Sequence, residues 1–185
     1  MPVTCTRSAS VRFSLLLLLA LGFQLSACSE QAPPAEERAA RPSPPATVST
    51  TVPGGAHLTI RYSRPSAKDR KVFGGLVPYG QVWRTGANEA TTFAVDRAVT
   101  VQGQPLPAGK YALFTIPTEK EWTIIFNNTA TQWGAYEYQA AQDTLRVQAR
   151  PTARTPRLEQ FTISASPTGQ VLMAWENTQV AFEVQ

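Results

Sequence analysis

Three stretches of this chain bring arginine forks, carboxylates or amides together with aromatic rings, the residue types that recognise small polar molecules. "RYSRPSAKDRKVFGG" carries Tyr62, Arg64, Lys68 and Arg70; "VWRTGANEATTF" carries Trp83, Arg84, Asn88 and Glu89; "FNNTATQWGAYEY" carries Asn127, Asn128, Trp133, Tyr136 and Tyr138. An arginine presents a planar fork of donors that matches a carboxylate or a phosphate, and an exposed ring offers a flat face to a sugar or another apolar surface. If the fold gathers the three stretches at one end, Arg64 and Arg84 are expected to hold an anionic or hydroxylated group. Trp83 or Trp133 would supply the flat face, Asn88 and Glu89 would fix orientation, and Arg70 and Tyr136 would stand beside them. The opposing expectation is that the central loop only holds itself together, with Arg84 pairing with Glu89 and Asn88 bonding backbone groups.

Catalysis asks for more than these residues. Hydrolysis by paired carboxylates needs two acids ~5–5.5 Å or ~6.5–9.5 Å apart across a cleft. Glu89 is one candidate, with Asp69, Asp96, Glu137 and Glu176 as seconds, but sequence spacing selects no pair. His57 is the single histidine and has no Gly-x-Ser-x-Gly elbow to serve. One histidine leaves too few ligands for zinc, and no Asp-rich loop of the calcium type is present. Asn127-Asn128-Thr129 fits a glycosylation acceptor but is read here as a turn. No metal, no cofactor and no catalytic set are expected.

The elements that must position these residues begin well inside the chain. Arg7 and Arg12 precede the apolar run "FSLLLLLALGFQL" and the small-residue site "LSAC", the parts of a secretory signal. The run is shorter than the ~20 residues a spanning helix needs, so residues 1–27 are expected to be an address. Leu-Ser-Ala before Cys28 resembles the bacterial lipobox, which makes Cys28 the expected lipidation site and the membrane a partner; acyl chains there would bind firmly, at ~0.8 kcal/mol per buried methylene. Ser29, where an aspartate would favour inner-membrane retention, favours the outer membrane. Cys5 leaves with the signal, so no disulfide is available to the fold. The formal charge of +4 includes Arg7 and Arg12, leaving +2 after cleavage, too little for a nucleic-acid footprint.

From Cys28 to Gly55 the chain is rich in proline, alanine and serine without apolar period, which predicts a disordered tether. Residues 56–185 then form one domain of ordinary size. Its pattern is alternation: "HLTIRY", "TTFAVD", "KYALFTIP", "EWTIIFN", "TLRVQAR", "EQFTISAS", "QVLMAWE" and "QVAFEV" read as strands. "NNT", "RPTARTP", "SPTGQ" and "ENTQ" read as turns, and "VTVQGQPLPAGKYALFTIP" as a hairpin. Only "TATQWGAYEYQAAQD" allows a short helical turn. The expected fold is all-β, an antiparallel β-sandwich of jelly-roll type with at most one short helix.

"RYSRP", "KVFGGLVPYGQVWRTGANEATTF", "LPAGKYALFTIP", "WTIIFN", "WGAYEY" and a late "AWE" stand in one order. Together they resemble domain of unknown function family 2911, a group of exported bacterial proteins, over nearly all of Arg61 to Val184. The resemblance implies an all-β secreted domain and brings no catalytic residues with it. The expected function is a non-catalytic binding or interaction module in the cell envelope, its partner a glycan, a small anionic ligand or an envelope protein. A glycan hydrolase built on Glu89 and a purely structural envelope spacer are the alternatives.

Overall fold

The computed structural model describes residues 41–185, an all-β fold of ten strands and two 3-10 turns. In chain order the strands are β1 (Pro45–Thr51), β2 (His57–Ser63), β3 (Thr91–Val95), β4 (Val99–Val101), β5 (Gln104–Leu106), β6 (Gly109–Ile116), β7 (Trp122–Asn127), β8 (Asp143–Ala149), β9 (Pro151–Ala165) and β10 (Gln170–Glu183). Six of them make one antiparallel sheet in the order β1-β2-β3-β6-β7-β8, while β9 and β10 form a long ribbon and β4 and β5 a small hairpin. The sheet is a meander interrupted only by the β4–β5 excursion, in place of the crossed connections of a jelly roll.

Two layers arise because one face of the sheet is apolar at alternate positions. Leu58 and Ile60 of β2, Phe93 and Val95 of β3, Tyr111 and Leu113 of β6, and Ile124 and Phe126 of β7 are all buried in one cluster. The ribbon supplies the other side of that cluster with Phe161, Ile163, Val171, Met173, Trp175, Val180 and Phe182. Register follows the same logic, with Ile60 opposite Phe93 and Phe93 opposite Tyr111, so that side chains two apart line the same face. The outer face is also covered at its centre. Ala112, Phe114 and Ile125 are buried there with Ala90, under Val82, Ile116, Ala135 and Tyr138. Thus the loops before β3 and after β7 lie on the sheet's outer face, where they are held by packing.

The tether expectation fails over its second half. Pro45 to Thr51 pairs residue for residue with Ser63 to His57 as the edge strand β1, and Pro53–Gly55 is a 3-10 turn. The sequence hides this strand because an edge strand packs on one face only: Ala46 and Val48 touch the core, while the intervening positions are exposed. The part of the tether before Arg41, the signal segment and Cys28 lie outside the described residues.

Two of the expected turns are strand. "RPTARTP" is the first half of β9 apart from Arg150, and "ENTQ" lies inside β10, where register shifts on both sides of Glu176 absorb the irregularity. Glu176 adopts a left-handed φ of 53° at that bulge, and its carboxylate accepts the Val72 amide at 3.0 Å. The other turn assignments agree with the strand ends. Gln102-Gly103, both at positive φ, close β4 onto β5 as a two-residue hairpin.

Candidate functional site

Trp83 continues the line of β3 along β6. Its amide donates to Thr115 O at 2.8 Å and its carbonyl accepts the Thr115 amide at 2.9 Å. Strand β3 begins only at Thr91, whose amide donates back to Arg84 O at 3.1 Å. Residues 85–90 are therefore extruded between two points of the same edge, which is why they show neither strand nor helix period.

The inner half of this loop is self-satisfied. The Thr91 hydroxyl donates to Thr85 O at 2.6 Å, the buried Thr85 hydroxyl bonds Trp83 O and Thr115 Oγ1, and the Trp83 indole donates to Gly86 O at 3.1 Å. Thr85 and Asn88 adopt left-handed φ of 55° and 59°, a conformation that needs such fixing in a threonine. A side chain at Gly86 would come within 3.0 Å of Ser63 O and 3.1 Å of Thr91 Oγ1, so glycine is required for close approach to β2.

The third stretch joins the second. The Gly134 amide donates to Asn88 O, the Ala90 amide donates to Gln132 O, and Glu89 forms a bridge pair with Trp133. Its own frame is a buried polar network around Asn127, which is fully enclosed. The Asn127 amide group donates to Gln139 O and Asp143 Oδ1, and its oxygen accepts from the Thr129 amide and the Gln132 side chain. Asp143 in turn accepts from the Tyr138 hydroxyl at 2.6 Å and from Arg146 at 2.7 Å. Burial first, and then the bond to Asp143, push the Tyr138 hydroxyl up to about 12, so it stays a neutral donor. The turn reading of Asn127-Asn128-Thr129 misses this network; its signal in the sequence is an amide, Asn127, closing an apolar strand.

The candidate residues divide into three groups. Arg70, Trp83, Arg84 and Asn88 line one cleft of about 490 Å³ together with Gln81, Trp175 and the apolar side chains of Pro65, Leu76, Val77, Pro78, Val82 and Ala87. Among the described residues lining it none carries a carboxylate. Arg70 is held by Ala67 O and Ser66 O, and Arg84 by Asn88 O, each through part of its fork. Trp83 is 9% exposed and stacked on Trp175, ring centroids 5.9 Å apart at 19°, so it forms the cleft's floor and is no open platform.

The second group faces outward. Trp133 and Tyr136 are exposed, with the Arg41 and Arg84 guanidinium groups each 5.9 Å from one of the rings. Glu89 joins this side, its two oxygens each 2.9 Å from Arg41 Nη1, and does not line the cleft. Arg64 stands alone in the third group. It donates to Phe161 O and to the Thr162 hydroxyl of β9, tying β2 to the ribbon. The expected Arg84–Glu89 pair is replaced by Arg84 on Asn88 O and Glu89 on Arg41, while Asn88 does bond backbone, donating to Ser43 O at 3.3 Å.

Of the possible second carboxylates, Asp69 and Glu137 are exposed, and the other two serve the frame. Asp96 accepts the His57 amide, and Glu176 accepts that of Val72. Among the described residues no cluster of His, Cys, Asp and Glu is placed to hold a metal ion, and no helix is long and apolar enough to cross a membrane. A family model described as "Protein of unknown function (DUF2911)" matches residues 43–184. No curated protein matches the chain, and no solved structure does.

Proposed function

The chain belongs to the DUF2911 family of proteins of unknown function, and since that membership brings no reaction with it we propose, from the cleft itself, a binding module for a small anionic ligand with an apolar body. The observation that carries this reading is the composition of the cleft wall: Arg70 and Arg84 with Asn88 and Gln81 against proline, leucine, valine and tryptophan, and no carboxylate among the described residues that line it. A cavity of about 490 Å³ is within the usual range for small-molecule sites, ~300–1,000 Å³. Two arginine forks, each only partly used by backbone carbonyls, suit a carboxylate or phosphate, and the indole floor suits the body that carries it.

The module is proposed to work in the cell envelope of a bacterium, exported by residues 1–27 and anchored through acylated Cys28, with the outer membrane favoured. Support comes from the basic start, the apolar run and Leu-Ser-Ala-Cys. The glycan-hydrolase alternative has less behind it, because Glu89 is engaged by Arg41 and stands outside the cleft lining.

The test is a thermal-shift series on the mature chain with small carboxylates and phosphates of graded apolar size, run on the parent and on Arg84→Ala and Glu89→Gln. A ligand at 100 times its dissociation constant stabilises by ~2.7 kcal/mol. The expected outcome is a hit that weakens at least tenfold in Arg84→Ala and is retained in Glu89→Gln. A hit lost equally in Glu89→Gln, or turnover lost there, would move the site to the outward face and overturn the reading.

A further inference from the structure

The outward group poses a separate question, because an exposed tryptophan and an exposed tyrosine share one loop. Trp133 is 54% exposed and Tyr136 81%, and both are held in place by the Asn127 network and by Asn88 O on the Gly134 amide. Each has an arginine guanidinium against it, Arg41 on Trp133 and Arg84 on Tyr136. Rings of this kind, apolar in body and polar at the tip, settle at the boundary between lipid tails and head groups, and arginines beside them reach head-group phosphates. Among the described side chains of this loop and its neighbours, Arg41 and Arg84 are matched in number by Glu89 and exposed Glu137.

The position of Arg41 points to the partner. Arg41, the first described residue, lies on Trp133 itself, and Cys28 is 13 residues before it. Thirteen residues span at most about 45 Å when fully extended, and a compact domain of this size is about 40 Å across. An anchor at Cys28 therefore cannot leave this face turned fully away from the bilayer, because the tether would have to run around the domain to reach it. From the place of Arg41 on Trp133, 13 residues after Cys28, and from the ring chemistry we infer that the Trp133–Tyr136 face docks on the membrane interface of the lipid that anchors the chain, and so sets the domain's orientation. This rests on the anchoring proposed above. Two rings without net charge do not hold a free domain to a vesicle; at the ~mM effective concentration that a short tether provides, they suffice to orient it. The docking brings Arg84, shared with the cleft wall, close to the bilayer surface.

The experiment separates docking from acylation. After removal of the signal, Cys28 is the sole thiol, so the mature chain can be coupled to a maleimide lipid in phosphatidylcholine vesicles whether or not a cell acylates it. Trp83, Trp122 and Trp175 are buried at 9%, 2% and 1% exposure, leaving Trp133 as the indole that shallow doxyl-labelled lipid and aqueous iodide can reach. The expected result on the coupled chain is a blue shift, quenching by the doxyl lipid and loss of iodide access. Trp133→Phe abolishes that signal, and Tyr136→Ser weakens it. Changing half of the lipid to phosphatidylglycerol leaves it unaltered, as a charge-balanced face requires. If Trp133 in the coupled chain keeps full iodide access and shows no doxyl quenching, the docking face is refuted. Mass analysis of Cys28 in chain extracted from membranes decides the anchoring on its own: an unmodified thiol there defeats the lipoprotein reading and leaves the vesicle result on the coupled chain to stand or fall by itself.

Discussion

Polar residues in this domain divide by what their loss would strand. Asn127 is enclosed and makes four hydrogen bonds, two as donor and two as acceptor. Replacing it with alanine leaves Gln139 O, one oxygen of Asp143, the Thr129 amide and the Gln132 side chain short of a partner. At ~1–3 kcal/mol per stranded buried group, with some recovered by water, Asn127→Ala is expected to cost about 3 kcal/mol or more in urea unfolding. Arg84→Ala is expected to cost only about 1 kcal/mol, since the side chain is half-exposed and gives one bond to a carbonyl. The difference explains why Arg84 was legible as a site residue and Asn127 was not. A cation in a loop without period stands out by type, whereas an asparagine after Ile124, Ile125 and Phe126 shows its role only once β8 and residues 128–139 fold back over it.

Among the elements, central strands were legible and edge or ribbon strands were not. Strands β2, β3, β6 and β7 alternate or run apolar because at least one face is fully covered. β1 and the first half of β9 contain no fully buried residue and carry proline, threonine and, in β9, arginine, so their composition reads as tether and turn. If β1 belongs to the fold, removing residues 41–52 bares the edge of β2 from His57 to Ser63 and takes Val52 from the core. Melting should fall by more than 10 °C, given that about 1 kcal/mol moves a domain of this size by ~3–5 °C, and the bared edge should promote aggregation. Arg41→Ala alone should lower stability by less than ~1 kcal/mol, as a partly exposed ion pair allows. A truncated chain that melts as the parent does would restore the tether reading.

At the scale of the whole domain, the cleft and the core share their tryptophans. Trp83 and Trp175 line the cleft and also meet Phe73, Phe161 and, for Trp83, Trp122 in the cluster that joins loop, sheet and ribbon. Phe73 touches Trp83, Trp122 and Trp175 at centroid distances of 5.8, 4.7 and 6.2 Å, one ring from the loop, one from β7 and one from β10. If the layers open together, the loss of these contacts is the loss of the fold, and unfolding followed by tryptophan emission must coincide with unfolding followed by circular dichroism. Phe73→Ala, which empties the middle of the cluster, is then expected to lower stability by ~3–5 kcal/mol equally by both probes. A ribbon that undocked first would move the emission transition ahead of the dichroism and leave the sheet standing. That outcome would also limit any ligand in the cleft to stabilising the ribbon's docking, because the cleft needs Trp175 of β10 as well as Trp83. Coincident transitions, raised in step by ligand, are what a cleft built into the core requires.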